Sequence, residues 1–180
     1  MEIKDYPGWV EEKIITEGQA RVQENILGLG GECGEVLEKV KKLIRDDTRF
    51  TNEDIAKELG DILFYSVATA NLFNFGTPLY EEARGDTSIK DTLVMDTALM
   101  FSTAGKVLGV LPQLITWDDD EDLAEDLVHK LQECIGELIL WIIQVARHFD
   151  MTMQDIIDIN VDKLDGREQR GTIRGSGDER

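Results

Sequence analysis

Two consecutive helical stripes, each carrying a pair of carboxylates three residues apart, constrain this chain more than any other feature. Glu32 and Glu35 fall in a segment from about Leu27 to Arg45, and Glu58 and Asp61 in one from about Thr51 to Phe73. Val36, Leu37, Val40 and Ile44 recur at helical spacing in the first, as do Ile55, Leu59, Ile62, Leu63 and Val67 in the second. Asp46, Asp47 and Thr48 break the pattern between them, and Thr51 or Asn52 can cap the new helix. So short a break makes the helices antiparallel neighbours. The carboxylates mirror each other about it, which sets Glu35 level with Glu58 and Glu32 level with Asp61, since residues three apart share a helix face. Either pair alone describes an ordinary solvated face. Together, four acidic groups converge on one spot, which is repulsive unless cations fill it, and an all-oxygen set suits a hard ion such as Mg²⁺ or Mn²⁺.

The rest of the chain points to the same fold class, all-α. Three prolines in 180 residues and no alternating β-branched runs leave helices as the building material. A short helix is expected after Pro7, carrying Trp9, Val10, Ile14 and Ile15. Residues 74–90 mix glycine, proline and charge and read as a connector. Beyond it, residues 102–111 match 31–40 at Gly105/Gly34, Val107/Val36 and Leu108/Leu37, and residues 134–149 match 58–73 at Gly136/Gly60, Ala146/Ala70 and Phe149/Phe73. The expectation is a helical bundle in which a hairpin over about 25–75 is followed by a degenerate second copy over about 98–150. In that copy Thr103, Lys106 and Cys134 replace Glu32, Glu35 and Glu58, and only Glu137 keeps an acid opposite Asp61. It cannot hold divalent ions but can pack on the first hairpin. Pro112 should kink or end the fourth main helix. Leu138 to Val145, apolar on nearly every face, should be buried on several sides. A last helix should start near Thr152, with Asp155 completing a capping box, and stop before Gly166; residues 152–180 form this helix and a tail.

With 42% hydrophobic residues the chain can form one domain over 1–180 with a sizeable core. A net charge of −18 argues against nucleic acid and against an anionic membrane surface as partners. The start MEIKDYPGWV lacks the pattern of a signal peptide, and no long uncharged apolar stretch stands out, so a cytoplasmic location is expected, with Cys33 and Cys134 as free thiols. His129 and His148 are isolated, with no ExxH of the di-iron kind, and no GxxxxGK[ST] phosphate loop occurs.

The block GLGGECGEVLEKVKKLIRDD followed by KELGDILFY resembles the MazG-like all-α nucleoside triphosphate pyrophosphohydrolases. The end of the chain, NVDKLDGREQRGTIRGSGDER, is similar to the C-terminal signature of small MazG-type proteins, and the tandem character of the middle is similar to that of dimeric all-α dUTPases in the same superfamily. The resemblance implies cleavage of a (d)NTP between its α and β phosphates, giving a (d)NMP and diphosphate, with Glu32, Glu35, Glu58 and Asp61 as ligands of Mg²⁺ or Mn²⁺ that orient the phosphates and activate water. It also leaves open a dUTPase-like base specificity or an idle nucleotide- and metal-binding protein. No residue pattern selects a base, and (d)GTP is the working expectation. A homodimer or homotetramer is expected.

Around this core, Glu38 can serve as an outer base or as a salt-bridging surface residue. Lys39 and Lys42 lie within about 60° of the acidic face and can touch phosphate or balance the carboxylates. Asn160, Lys163, Arg167 and Arg170 recur at spacings of three or four, which gives the last helix one amide and three cations suited to phosphate oxygens, with a disordered tail as the competing reading. Asn71 and Tyr65 are candidates for sugar or base contact that helix packing could equally explain.

Overall fold

The computed structural model describes residues 1–46, 51–79, 90–116 and 125–171, with side chains from 93 onward in the third stretch. After a 3₁₀ turn at Ile3–Asp5 the elements are α1 (Tyr6–Lys13), α2 (Gly18–Asp46), α3 (Asn52–Leu72), α4 (Lys90–Leu108), α5 (Leu111–Ile115), α6 (Glu125–Arg147) and α7 (Met153–Gln169). No strand occurs among the described residues, and the all-α class stands. The helices α2, α3, α6 and α4 each pack on the next and α4 closes back on α2, which makes a four-helix ring. Outside this ring α1 and α7 both lie on α3, and α5 lies on α2.

Helix α3 is therefore enclosed on most sides, and its sequence shows how. Its start is fixed by a capping box in which Thr51 accepts from the Asp54 amide while the Asp54 carboxylate accepts from the Thr51 amide. From Ile55 to Phe73 none of its residues is exposed. Small residues let neighbours approach on every side: a Cβ on Gly60 would stand 2.8 Å from the Asn160 Cβ of α7. The hydroxyls this buries are satisfied within the helix, Ser66 donating to the Ile62 carbonyl at 2.8 Å and Thr69 to the Tyr65 carbonyl at 2.7 Å.

Several sequence expectations need correction. Helix α2 begins nine residues before Leu27, at Gly18. Its buried stripe runs through Val22, Asn25, Ile26, Leu29, Cys33, Val36 and Val40, and Ile44, expected on it, is 65% exposed. Helix α1 ends at Lys13, so Ile14 is extended and Ile15 half exposed. The enclosed position expected for Leu138–Val145 belongs to α3; α6 is amphipathic, with Leu140 46% exposed. Pro112 sits in the first turn of α5, where its missing amide costs nothing, and α4 has already ended at Leu108. Helix α7 starts with the expected Thr152–Asp155 capping box but runs through Gly166 to Gln169. At Gly166 a Cβ would lie 3.1 Å from a guanidinium nitrogen of Arg170, so glycine here makes room and ends nothing. Parts of the connector (80–89), the acidic loop (117–124) and the tail (172–180) lie outside the described residues.

By length and composition Leu93–Ile115 could cross a membrane, contrary to the expectation that no such stretch exists. In the fold it is two helices, α4 and α5, broken at residues 109–110, and both pack on α2. Both cysteines are free and buried.

Candidate metal centre

The antiparallel packing of α2 and α3 brings Glu32, Glu58 and Asp61 together, with one carboxylate oxygen of each within 4.8 Å of the others. Glu35, expected as the fourth member, is exposed and stands outside this group, though close enough to act electrostatically on Glu32. The reversed chain direction shows in the pairing: Lys39, further along α2, reaches the earlier Glu58 on α3 at 3.0 Å, while Glu32 meets the later Asp61. The Glu58 side chain is 2% exposed. Burial of charge at this depth demands compensation, and Lys39 supplies part of it.

Asp61 is held from α7. Its Oδ1 accepts from Asn160 Nδ2 at 3.0 Å and its Oδ2 pairs with Lys163 Nζ at 2.5 Å. The Asn160 amide is itself oriented, because the hydroxyl of fully buried Tyr6 donates to its Oδ1 at 2.8 Å and leaves the NH₂ for the acid. Tyr6 thus connects α1 to the carboxylates through one residue. Burial and the nearby Asp61 charge push its phenol well above its ordinary pKa, which keeps it a donor. Tyr6 was missed from sequence, since an aromatic beside Pro7 reads as core.

Burial, then Asp61, Glu35 and Glu58 in turn, push Glu32 up to about 8, with Lys163 acting the other way. Burial and the neighbouring acids thus both favour the protonated form of Glu32. A small, partly buried, all-oxygen group of this kind fits a hard divalent cation.

The other sequence candidates divide clearly. Lys163, Arg167 and Arg170 line a cleft of about 560 Å³ with Lys57, Glu53, Ile159 and Asp162. Lys57, which pairs with Glu53 at 2.9 Å, was not singled out from sequence although it directly precedes Glu58. Glu38 and Lys42 form a surface ion pair at 3.4 Å, with Lys41 also on Glu38, and Lys42 lies outside the cleft lining. Asn71 has a packing role: its Nδ2 donates to the Pro7 carbonyl at 2.8 Å and its amide meets Glu11, tying α1 to α3. Tyr65 lines a second cavity beside Arg167.

Residues 21–79, about a third of the chain and the whole of the acidic hairpin, match the family model described as the MazG nucleotide pyrophosphohydrolase domain. This segment is similar to the MazG family. A second likeness is to the Gene 37 protein of Mycobacterium phage L5, 28% identical over 104 residues that make up 58% of this chain and 90% of that protein. No solved structure gives a match. The MazG segment contains all four sequence-predicted carboxylates and the two sequence-predicted lysines of α2, Lys39 and Lys42, whereas α4, α6 and α7 lie beyond it. The contacts that Asn160 and Lys163 make to Asp61 thus reach the matched region from outside it.

Proposed function

We propose that the protein is a metal-dependent nucleoside triphosphate pyrophosphohydrolase that converts a (d)NTP and water to a (d)NMP and diphosphate. The observation that carries this reading is the convergence of Glu32, Glu58 and Asp61 within 4.8 Å on the MazG segment, beside a cleft that holds Lys57, Lys163, Arg167 and Arg170. Those three acids would hold the cation, with exposed Glu35 turning in to complete the set. A Mg²⁺ or Mn²⁺ ion bound there supplies charge neutralisation and an activated water. The chain's own side chains do the rest. Asn160 and Tyr6 fix the direction of Asp61, so that its oxygens keep one geometry. The cations of α7 bind phosphate oxygens, Arg167 and Arg170 as planar forks and Lys163 as a point charge. Their charge stabilises negative charge as it moves onto the leaving diphosphate. Glu38, ion-paired on the surface, acts in charge balance rather than as a base.

The second helix pair is, on this reading, a degenerate copy of the first that serves as scaffold. The exposed apolar residues Val94, Met95, Leu99 and Phe101 of α4 support a homodimer or homotetramer, which sedimentation would establish. The decisive experiment is turnover of a panel of dNTPs and NTPs, dGTP and dUTP among them, with Mg²⁺ and with Mn²⁺, followed by identification of both products. Equal release of monophosphate and diphosphate is expected. Release of orthophosphate instead, or no turnover of any nucleotide by folded protein, would overturn the reading.

A further inference from the structure

Asn25 is the least explained residue of the interior. It occupies a position in the buried stripe of α2 between Val22, Ile26 and Leu29, and it is 1% exposed. Neither its Oδ1 nor its Nδ2 has a hydrogen-bond partner. Buried polar groups are almost always paired, and a carboxamide with both ends unpaired costs more than the leucine that would fill the same space. The residue also lines a cavity of about 210 Å³ together with Thr16, Phe64, Tyr65, Leu164 and Arg167. That volume is below the roughly 300–1,000 Å³ of pockets for whole drug-sized ligands and suits a fragment such as one planar ring. Phe64 and Tyr65 provide aromatic surface. Burial, with the Glu32 charge next, pushes the Tyr65 phenol up to about 12, so its hydroxyl is a neutral donor and acceptor.

Arg167 joins this cavity to the cationic cleft, because it lines both. Lys163 of the cleft pairs with Asp61, and the charges of Glu32 and Asp61 both act on Tyr65. The carboxylates thus stand close to both cavities. A ligand that uses the whole arrangement has a flat polar ring at one end and several anionic groups at the other. We propose that the cavity lined by Asn25, Phe64, Tyr65 and Arg167 receives the heteroaromatic base of the nucleotide, and that the Asn25 carboxamide reads an edge of that base presenting a donor beside an acceptor. This rests on the nucleotide reading above. The unpaired amide is then a cost carried by the free protein and recovered on binding.

The test uses nucleoside monophosphates, which as products are not turned over, with inorganic tripolyphosphate as the phosphate-only probe. Titrations in Mg²⁺ buffer compare wild type with Asn25→Leu and with the near-isosteric Asn25→Asp. Asn25→Leu should weaken the best-bound monophosphate at least about 10-fold, which is the scale of one lost specific contact, and leave tripolyphosphate affinity within about twofold. Its Tm should rise by several degrees, since an unpaired buried amide is replaced by an apolar group. Asn25→Asp should change the rank order of the four bases. Unchanged affinities and rank order in both variants would overturn the proposal, and so would a fall in Tm of Asn25→Leu, because the amide would then have partners in the free protein. The two readings fail separately. Asn25-dependent binding without diphosphate release from any triphosphate would leave the pocket and remove the hydrolase; turnover with base preference unchanged by either variant would do the reverse.

Discussion

The two helix pairs of the ring solve one electrostatic problem in opposite ways. In α2 and α3, three buried or half-buried carboxylates lie close together, and burial with the neighbouring acids pushes Glu32 up to about 8. In α4 and α6, the positions aligned with Glu32, Glu35, Glu58 and Asp61 hold Thr103, Lys106, Cys134 and Glu137. There the single acid pairs with Lys106 at 2.9 Å, receives the Trp141 indole N–H at 3.4 Å, and is moved below its ordinary pKa, chiefly by the lysine. One pair gathers its acids around a shared spot and the other matches its single acid with a lysine. The lesson is that a helical hairpin tolerates either solution, so stability alone does not explain why the first keeps its acids.

Removing an acid from the first pair should have the largest effect. Asp61→Asn keeps the shape and the contact to Asn160 but deletes a charge, and turnover should fall by about 100-fold or more while the helical circular dichroism is unchanged. Near-normal turnover in the folded variant would sever the comparison at its root. Next comes pH. Glu32 must lose its proton to bind a cation, so metal affinity should rise by up to about 10-fold per pH unit toward 8 and flatten above it, with about one proton released per site at pH 7. Calorimetry in buffers of different ionisation enthalpy measures that proton directly. The same shift sets stability. Between 4.5 and about 8 the folded state holds a proton that the unfolded chain has lost, so the metal-free protein should become less stable as pH rises through this window, and saturating Mg²⁺ should abolish the slope. Absence of proton release would mean that Glu32 is not a ligand.

How much of this could be read from the sequence differs between regions for a physical reason. The acidic hairpin was legible because apolar period and carboxylate spacing agree over α2 and α3. The start of α2 was not, because Asn25 puts a polar side chain where the stripe Val22, Ile26, Leu29 calls for an apolar one. The residue that hid the helix is the one whose burial most needs explaining, as expected where local pattern yields to a site. Gly166 misled in the same manner: read as a terminator, it is the gap that admits Arg170, and the helix continues to place Arg167 at 7% exposure. The enclosure of α3 was also hidden, since small and hydroxyl-bearing residues look surface-like until their neighbours are known. Contacts between distant segments, such as Tyr6 with Asn160, leave no periodic trace at all.

That contact supplies a prediction of intermediate size. If Tyr6 fixes the Asn160 amide for Asp61, Tyr6→Phe should lower Mn²⁺ affinity by about 10-fold, the lower end of what distant supports of metal ligands contribute. The aromatic packing on Trp9, with ring centroids 5.6 Å apart, should survive. Glu137 is held instead by Lys106 and Trp141, so sensitivity to Tyr6 belongs to the first pair alone. Unchanged Mn²⁺ affinity by electron paramagnetic resonance would show that Asp61 orients without help from α1.

The smallest effect is expected on the other side of the comparison, at Glu137→Gln. Lys106 and Glu137 are 51% and 42% exposed, so water and salt screen the pair and its contribution to stability is small. Glutamine can still accept from Trp141 and keeps the side-chain volume, so Tm should move by no more than about 2–4 °C. Turnover should stay within about twofold of wild type, and a metal titration should still saturate one cluster per chain. A loss of activity near that of Asp61→Asn, or a second ion beside Glu137 in metal-soaked crystals, would mean that the second pair shares the chemistry. Lys106 would then have to leave Glu137, and the charge arrangement of α4 and α6 described above would be only one of two states.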